Sequence, residues 1–395
     1  ISHSRSNPMT STTATTPEAT FQLDPAFNFG DDFGPEKIVY IYEPRCGLRG
    51  IVVIDNSSIG PAIGGIRMTP TVNTQEVFRL ARAMTWKNAL AGIPHGGGKS
   101  GIIADPRTLT PERKETLIRQ FARGIEALNQ YIPGPDMGTD ETAMAWVRDE
   151  IRRSVGLSSV LGGIPLDQVG ATGFGLAVCA EVAQHFAGIN LQGAKVSIQG
   201  FGNVGRHAAS YLSHPKRGAV VVAATDLPGT VYNPDGLDVE KLVSLVKAGR
   251  PITEYNEKGT KILPRDEFVK IPVDIFVPAA QADVITEANA PLLNCKLMLQ
   301  GANIPCTDVA EKILHERGVI CVPDFVANAG GVICGSVEYH GGTKSTAFQE
   351  IEEKLKENTS AVLEHARRTK ATPRAAALDL AKERVREAMS YRRAN

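Results

Sequence analysis

The stretch VSIQGFGNVGRHAASYL, residues 196–212, decides the fold of this chain. It combines a short apolar strand, a glycine-rich turn and the beginning of a helix. Gly200, Gly202 and Gly205 in the turn have the spacing G-x-G-x-x-G. In that pattern the first glycine makes a tight turn, the second leaves room for a pyrophosphate, and the third lets the helix pack closely on the strand. Because the helix N-terminus also offers its amides to phosphates, the stretch predicts a dinucleotide-binding unit.

The next apolar strand, AVVVAATD, ends at Asp226, a little over 20 residues beyond Gly205. A carboxylate at that position can accept hydrogen bonds from a ribose 2′-hydroxyl and would repel a 2′-phosphate. Leu227 and Pro228 follow, with no Arg or Lys nearby to attract that phosphate. The pattern therefore favours NAD over NADP as the cofactor. The alternative is that Asp226 merely begins the turn DLPG.

Apolar strands and helical stretches alternate on both sides of this unit. The helical stretch ATGFGLAVCAEVAQHFAG precedes it, and the apolar segments DIFVPAA, LMLQGAN and ICVPD follow it, separated by helical stretches. Such alternation is typical of a parallel sheet with helices on both faces. The sequence therefore predicts an α/β fold with a doubly wound, Rossmann-type NAD-binding domain.

The N-terminal part of the chain has a different pattern. The β-rich segments KIVYIYE and RGIVVID come first and amphipathic helices follow, one with Thr110 as its N-cap and Pro111 as its first residue. VGLSSVLGGIP is typical of a linker, and two amphipathic helices split by KATPR end the chain. We predict a discontinuous substrate and oligomerisation domain around the NAD-binding domain. The expected bounds are 1–20 for a disordered tail or cloning remnant, 21–160 and 340–395 for the substrate domain, and 161–339 for the dinucleotide-binding domain.

Composition narrows the class of protein. The chain has 395 residues, more than one ordinary domain holds. Its 43 basic and 43 acidic residues give a formal net charge of zero, which argues against nucleic acid or an anionic membrane as the main partner. No apolar run approaches the roughly 20 residues that a membrane span needs. The six cysteines are scattered without a Cys-x-x-Cys pair, so we expect no metal site and buried free thiols in a reducing, cytoplasmic compartment.

Two lysines have unusual neighbours for a residue type that is normally solvated. Lys87 lies in the predicted helix MTWKNALAG, and Lys99 lies in GGGKSG, which we interpret as a glycine-rich loop. Two ammonium groups in one cleft suit a substrate that carries a carboxylate, and a desolvated lysine beside another cation has a lowered pKa, as a general base requires. Asp136 precedes the next helix. Because Asp140 is better placed as the N-cap, Asp136 is free for chemistry.

The chain resembles the glutamate/leucine/phenylalanine/valine dehydrogenase superfamily in a series of segments that runs in one order from about residue 37 to past 340: GPAIGGIRM, MTWKNALAG, GGGKSG, GPDMGTDETAMAW, QGFGNVG, YNPDG and PDFVANAGGV. The resemblance implies reversible, NAD(P)-dependent oxidative deamination of an L-amino acid to its 2-oxo acid and ammonia. It implies that Lys87 holds the α-carboxylate, that Lys99 is the catalytic base and that Asp136 relays protons at the amino group. It also implies a homo-oligomer.

The same resemblance implies further site residues. It places Asn328 at the substrate and Thr172 near the nicotinamide. The remaining candidates are the substrate-contacting residues Gly65 and Met84 and the cofactor-binding residues Asn203, Val204, Ala279 and Asn303.

Ile63 and Gly335 bear on which side chain the substrate carries. In members that act on glutamate, a lysine and a serine at the matching positions bind the side-chain carboxylate. A carboxylate buried against isoleucine without a partner would be strongly unfavourable. Gly134 and Gly335 leave volume in the predicted pocket, and Val332 would line another wall. We therefore expect an apolar side chain of the leucine, valine or phenylalanine type.

Two alternatives stay open. Glutamate is the substrate if Arg67 or His95 supplies the missing cation, or if Ser336 replaces the missing hydroxyl, and the segment TVYNPDGLDVEKLVSLVKAGRPITEY does resemble the glutamate members. The remote alternative is a non-catalytic regulatory paralogue, against which the two lysines and Asp136 argue.

Overall fold

The computed structural model describes residues 25–392 of the chain. The tail predicted at 1–20 lies outside the described residues. Within them the chain builds two sheets, one before and one after the predicted linker.

The first sheet has five strands: β1 Lys37–Glu43, β2 Leu48–Asn56, β3 Ala62–Thr69, β4 Gly96–Ile103 and β5 Tyr131–Pro135. Their order across the sheet is β1-β2-β4-β3-β5. β2 pairs antiparallel with β1 and with β4, whereas β3 pairs in parallel with β4 and β5. The central strand pair β3–β4 and strand β5 are the part of this sheet that reaches the site described below.

Three helices accompany this sheet: α1 Thr74–Ala91, α2 Pro111–Gly124 and α3 Glu141–Ile151. The predicted start of α2 is confirmed, since the Thr110 hydroxyl accepts the backbone N–H of Arg113 and Pro111 is the first helical residue. The predicted start of α3 is confirmed as well, because the Asp140 side chain accepts the backbone N–H of Ala143.

Strand β4 lies where the sequence predicted a glycine-rich loop around Lys99, so that prediction was wrong. The glycines serve close packing inside the sheet and beneath α1. A Cβ on Gly97 would lie 2.1 Å from the backbone nitrogen of Thr85, and a Cβ on Gly64 would lie 1.7 Å from the carbonyl oxygen of Gly98. A run of glycines is thus compatible with a strand wherever other backbone approaches it closely.

The second sheet begins with the strand of the glycine motif. Its seven strands are β6 Lys195–Gln199, β7 Val220–Asp226, β8 Gly229–Tyr232, β9 Lys261–Leu263, β10 Ile275–Pro278, β11 Leu297–Leu299 and β12 Ile320–Val322. In the order β12-β11-β10-β6-β7-β8-β9, the first five are parallel, and β8 and β9 are antiparallel additions. The chain leaves β6 toward β7 on one side and returns with β10 on the other, as in the predicted doubly wound α/β fold. Such sheets bind ligands outside the carboxyl ends of the strands at this switch point.

Nine helices belong to the rest of the described chain: α4 Leu166–Val169, α5 Ala171–Ala187, α6 Asn203–Ser213, α7 Val239–Lys247, α8 Asp308–Glu316, α9 Asp324–Ala327, α10 Gly330–Tyr339, α11 Lys344–Thr369 and α12 Pro373–Ser390. Short 3₁₀ turns lie between several of them. Helix α11 packs along α5, and α12 packs on α1. The C-terminal helices therefore connect the two sheets.

The hydrophobic core consists of apolar residues on the helix and sheet faces that pack against one another. One large cluster joins apolar residues of α1, α5, α11 and α12 with strands of the second sheet, and a separate cluster fills the first sheet beneath α2 and α3. Each of the six cysteines lies in the described residues, buried and unpaired with another cysteine. Among the helices between residues 25 and 392, none is both long enough and apolar enough to cross a membrane.

Candidate active site

A cavity of about 280 Å³ lies between the first sheet and the helices of the second. It brings together all the residues predicted to be catalytic or substrate-contacting: Ile63, Gly65, Met84, Lys87, Lys99, Gly134, Asp136, Asn328, Val332 and Gly335. It is also lined by three of the residues predicted to bind the cofactor: Thr172, Val204 and Asn303. Residues from positions 63 to 335 of the chain thus share one cavity.

Lys99 and Asp136 form an ion pair at this cavity, with the Lys99 Nζ 2.9 Å from Oδ2 of Asp136. Lys99 belongs to β4 and Asp136 directly follows β5, so the two come from the strands on either side of β3. Gly65 lies on β3 between them. A Cβ on Gly65 would lie 2.7 Å from the Cβ of Asp136, so the missing side chain makes room for the aspartate.

Arg67 contacts the same aspartate. Its Nε lies 3.0 Å from Oδ2 of Asp136, and its Nη1 lies 2.8 Å from Oε1 of Glu76. Burial raises the pKa of Asp136, but the positive charges of Lys99 and Arg67 outweigh that effect and hold the pKa below its ordinary value. Because Arg67 is engaged by two carboxylates and does not line the cavity, it is poorly placed to bind a substrate side chain.

His95 and Ser336 do not line the cavity either. His95 is buried, and its Nδ1 lies 3.0 Å from the carbonyl oxygen of Pro61. Burial lowers the pKa of His95 to about 4, so the ring is neutral at neutral pH. Ser336 lines a different pocket, together with His340. Neither residue therefore replaces the lysine and serine of the glutamate members.

Lys87, on the last turns of α1, is the second cation of the cavity. Within residues 25–392 it forms no ion pair, in contrast to Lys99. Burial lowers the pKa of Lys87 to about 8, although the nearby charge of Asp324 acts in the opposite direction. An ammonium group without a carboxylate partner is available to the carboxylate of a ligand.

The part of the cavity around Ile63 is apolar. Ile63 is 4% exposed and forms a small buried cluster with Ile132 and Val155. A Cβ on Gly335 would lie 3.6 Å from Cγ2 of Val155, and a Cβ on Gly134 would lie 3.2 Å from the same atom. A methyl group on Gly335 would therefore make an ordinary contact with Val155, whereas a methyl group on Gly134 would be closer to Val155 than an ordinary contact.

Val155 and Leu166 line the cavity but are absent from the sequence-based candidates. Both come from the region around the predicted linker. The buried carboxylate of Glu338 fixes that region, accepting the backbone N–H groups of Leu157 at 3.1 Å and Ile164 at 2.9 Å. The sequence signal that could have identified them is the presence of apolar residues in a linker that is otherwise rich in glycine.

Asn328 presents an unsatisfied oxygen. Its Nδ2 donates to Oδ1 of Asn303 at 3.0 Å, whereas its own Oδ1 is buried and has no donor among the described residues. Both asparagines line the cavity. Since buried polar atoms are almost always paired, this oxygen is a good acceptor for an N–H group of a ligand.

A second pocket of about 380 Å³ surrounds the glycine motif and adjoins the first at Val204, which lines both. Its lining includes these predicted cofactor-binding residues: Gly200, Gly202, Asn203, Val204, Asp226 and Ala279. The substrate candidates and the cofactor candidates therefore occupy neighbouring spaces.

The three glycines fit the roles that the motif predicts. Gly200 has φ +91°, which suits a tight turn, and a Cβ on Gly202 would meet nothing within 4 Å, which leaves space for a phosphate. Gly205 does not line the pocket. A Cβ there would lie 1.8 Å from the carbonyl oxygen of Gly200, so Gly205 permits the close packing of α6 on β6. Helix α6 has no side-chain cap, and its first N–H groups are available to a pyrophosphate.

Asp226 ends β7 and lines the second pocket, as expected, and its Oδ1 accepts the backbone N–H of Leu227 at 2.9 Å. However, Arg265 lines the same pocket. The sequence-based expectation that no Arg or Lys lies near this end of the pocket was therefore wrong. Arg265 lies 39 positions after Asp226 and returns to it only through β8 and β9.

Comparison with known proteins gives a consistent result over nearly the whole chain. Residues 35–153 match the model of the Glu/Leu/Phe/Val dehydrogenase dimerisation domain, and residues 162–393 match that of Glutamate/Leucine/Phenylalanine/Valine dehydrogenase. A glutamate dehydrogenase of Aeropyrum pernix is 39% identical over 360 residues, which is 85% of each chain. Other similar proteins carry names that specify NADP or NAD.

Similar solved structures include two amino-acid dehydrogenases. The hetero-hexameric glutamate dehydrogenase of Thermus thermophilus in a leucine-bound form is 29% identical, covers 91% of each chain and gives a TM-score of 0.80. The L-tryptophan dehydrogenase of Nostoc punctiforme is 25% identical, covers 90% of this chain and 96% of its own, and gives a TM-score of 0.69.

Proposed function

Because the chain belongs to the glutamate/leucine/phenylalanine/valine dehydrogenase family, we propose that it oxidatively deaminates an L-amino acid with an apolar side chain. The chain is an amino-acid dehydrogenase, an oxidoreductase that acts on CH–NH₂ donors with a nicotinamide cofactor. The finer statement, that leucine-, valine- or phenylalanine-like substrates are preferred, rests on the apolar end of the cavity.

The proposed reaction follows from the positions of Lys87, Lys99 and Asp136 in the cavity. Lys87, which has no ion pair among the described residues, holds the α-carboxylate and so orients the substrate. A nicotinamide dinucleotide held in the pocket of Gly200 and Gly202 would supply the hydride acceptor for Cα, which would leave the substrate as an iminium ion. Lys99 takes a proton from the water that attacks the iminium carbon. Asp136, which is 2.9 Å from Lys99, moves the proton to the departing amine.

The single observation that carries the apolar preference is the distribution of cations. Among the described residues that line the cavity, Lys87 and Lys99 are the only cationic ones, and the reacting end of the substrate uses both. The side-chain end offers Ile63, Val155 and Gly335. A second carboxylate would be buried there without a partner, which costs far more than an apolar side chain does.

Glutamate is the second candidate, because several similar proteins are named glutamate dehydrogenases. The names of these relatives favour glutamate, whereas the described residues that line the cavity include no third cation. The two candidates differ in a simple assay: NADH formation at mildly alkaline pH with leucine, valine, phenylalanine, tryptophan, glutamate and aspartate, repeated with NADP. Turnover of leucine or phenylalanine with glutamate inactive is the expected result. Turnover of glutamate alone would overturn the apolar preference.

The proposal includes the cofactor, the assembly and the compartment. Asp226 favours NAD, since it can accept the ribose 2′-hydroxyl. The match of residues 35–153 to a dimerisation domain supports a homo-oligomer. The substrate domain, 21–160 and 340–395, would carry the subunit contacts, and 161–339 would bind the dinucleotide. The six buried, unpaired thiols suit a reducing compartment such as the cytoplasm.

A further inference from the structure

We propose that Arg265 binds the 2′-phosphate of NADP, so that the enzyme uses NADP as well as NAD. The inference rests on the proposed cofactor site and deepens it, because Asp226 alone predicts rejection of the phosphate. It assigns a specificity-determining residue at the ribose end of the second pocket.

The antiparallel strands β8 and β9 bring Arg265 to this place. The chain turns back directly after β7, with Asp226 opposite Gly229, and β9 then pairs with β8, with Thr230 opposite Leu263. Arg265 follows Leu263 by two residues. It therefore returns to the same end of the sheet as Asp226, and both line the second pocket.

Buried hydroxyl groups fix the backbone of Arg265 in this position. The Oγ1 atoms of Thr225 and Thr230 are 2.8 Å apart, and Thr230 donates to the carbonyl oxygen of Arg265 at 3.3 Å. Thr225 is the residue before Asp226. The position of Arg265 relative to the end of β7 is thus set by a chain of hydrogen bonds, while its side chain stays available.

The guanidinium of Arg265 has no carboxylate partner. Within residues 25–392 it forms no ion pair, not even with Asp226 in the same pocket, and the nearby Glu267 pairs with Lys270 instead. The residue is half-buried. A planar guanidinium offers several N–H donors in a geometry that matches phosphate oxygens, so an unpaired one at this end of a dinucleotide pocket suits a 2′-phosphate.

The two opposite charges explain why both cofactors are expected to bind. With NAD, Asp226 accepts the ribose 2′-hydroxyl and Arg265 stays solvated. With NADP, the phosphate is repelled by Asp226 and attracted by Arg265. Because a hydrogen bond to a charged group is stronger than a neutral one, Arg265 offsets the repulsion.

The test measures dissociation constants of NADH and NADPH by fluorescence titration, without amino acid, for the full-length wild type and for Arg265→Ala, Arg265→Gln and Lys261→Ala. Lys261 is an exposed cation on β9 that does not line the pocket, so Lys261→Ala is the matched control for loss of one positive charge. We expect the wild type to bind both cofactors. We expect both Arg265 variants to weaken NADPH binding by about tenfold or more and NADH binding by less than about twofold. Lys261→Ala should change neither constant beyond about twofold.

NADH is the internal reference, because a merely structural effect of the substitutions would weaken both cofactors. Equal weakening of both cofactors, or no loss of NADPH binding, would overturn the role of Arg265. Binding of NADH but not NADPH by the wild type would overturn it too, while leaving the proposed NAD-dependent function intact. Binding of neither cofactor would overturn the dinucleotide site itself and the proposed function with it.

Discussion

The Nζ of Lys99 lies 2.9 Å from Oδ2 of Asp136, and this pairing separates the two lysines of the cavity by role. Lys99 has an anion with which it can exchange a proton. Lys87 has none among the described residues, so its charge remains for the substrate carboxylate. A third charged group, Arg67, contacts the same Oδ2 of Asp136, and its positive charge helps to hold the pKa of Asp136 below its ordinary value. The arrangement suits proton transfer at the amino group on Cα and binding of the α-carboxylate.

Lys99→Ala should lower kcat by about 10²–10⁴-fold, because the variant loses the group that takes the proton from water. NADH binding, measured by fluorescence titration, should stay within about twofold of the wild type, since Lys99 does not line the second pocket. Near-normal turnover in this variant would contradict the role of Lys99 as the base.

The lowered pKa of Lys87 predicts a pH dependence of carboxylate binding. Burial holds this pKa at about 8 in the free site, and only the protonated ammonium binds a carboxylate. The inhibition constant of 4-methylpentanoate should therefore be constant below about pH 8 and then rise by about tenfold for each further pH unit. The dissociation constant of NADH, measured in parallel, is the control and should stay flat. An inhibition constant that does not change between pH 7 and 10 would refute this assignment.

The double variant Ile63→Lys/Gly335→Ser should shift the substrate preference toward glutamate. A Cβ on Gly335 would lie 3.6 Å from Val155, which is an ordinary contact, so serine fits there without a clash. Lysine at position 63 would supply the missing cation. We expect kcat/KM for glutamate to rise, and that for leucine to fall, by about tenfold or more, on the basis that burying an unpaired charge is costly. The single variant Gly335→Ser is the control, which adds the hydroxyl but no charge and should not create glutamate activity.

Arg374 should matter for stability more than any exposed arginine. Its Nε lies 2.8 Å from Oε2 of Glu311 and its Nη1 lies 3.0 Å from Oδ1 of Asp324, all three side chains being largely buried. Arg374→Met leaves two buried carboxylates without a cationic partner, although each keeps one hydrogen-bond donor, Gln300 for Glu311 and the backbone of Ile304 for Asp324. The loss should cost about 3–5 kcal/mol and lower the thermal midpoint by several degrees. Arg250→Met, which removes an exposed pair with Glu254, is the control and should leave the midpoint nearly unchanged. Equal midpoints for the two variants would refute the prediction.

Much of the architecture can be predicted from the sequence because it depends on residues that are close together in the chain. The glycine spacing after β6, the cap at Thr110 and the strand–helix alternation each follow from a few neighbouring residues. The predicted loop at Lys99 failed for the opposite reason: whether a glycine run is a loop or a strand depends on what packs against it. Here Thr85 of α1 packs against Gly97, and the sequence next to Gly97 gives no sign of this contact.

The candidate site shows the same limit. Every predicted catalytic and substrate residue lines one cavity, and all of them except Gly335 lie in the family segments. Val155 and Arg265, however, line the two pockets without being part of those segments. Val155 arrives through a linker fixed by Glu338, and Arg265 arrives through two added antiparallel strands. Contacts made by chain reversal over tens of residues carry no local sequence pattern.

Gly202 and Gly205 form a matched pair of substitutions that separates cofactor binding from folding. A Cβ on Gly202 would meet nothing within 4 Å, whereas a Cβ on Gly205 would lie 1.8 Å from the carbonyl oxygen of Gly200. Gly202→Ala should therefore fold like the wild type and weaken NADH binding, because the added methyl occupies the space in which a pyrophosphate approaches the backbone. Gly205→Ala should be strongly destabilised, since α6 cannot move away from β6 without disturbing the core. Thermal midpoints and NADH titrations distinguish the two. A Gly202→Ala protein with normal NADH affinity would place the pyrophosphate elsewhere than at the N-terminus of α6.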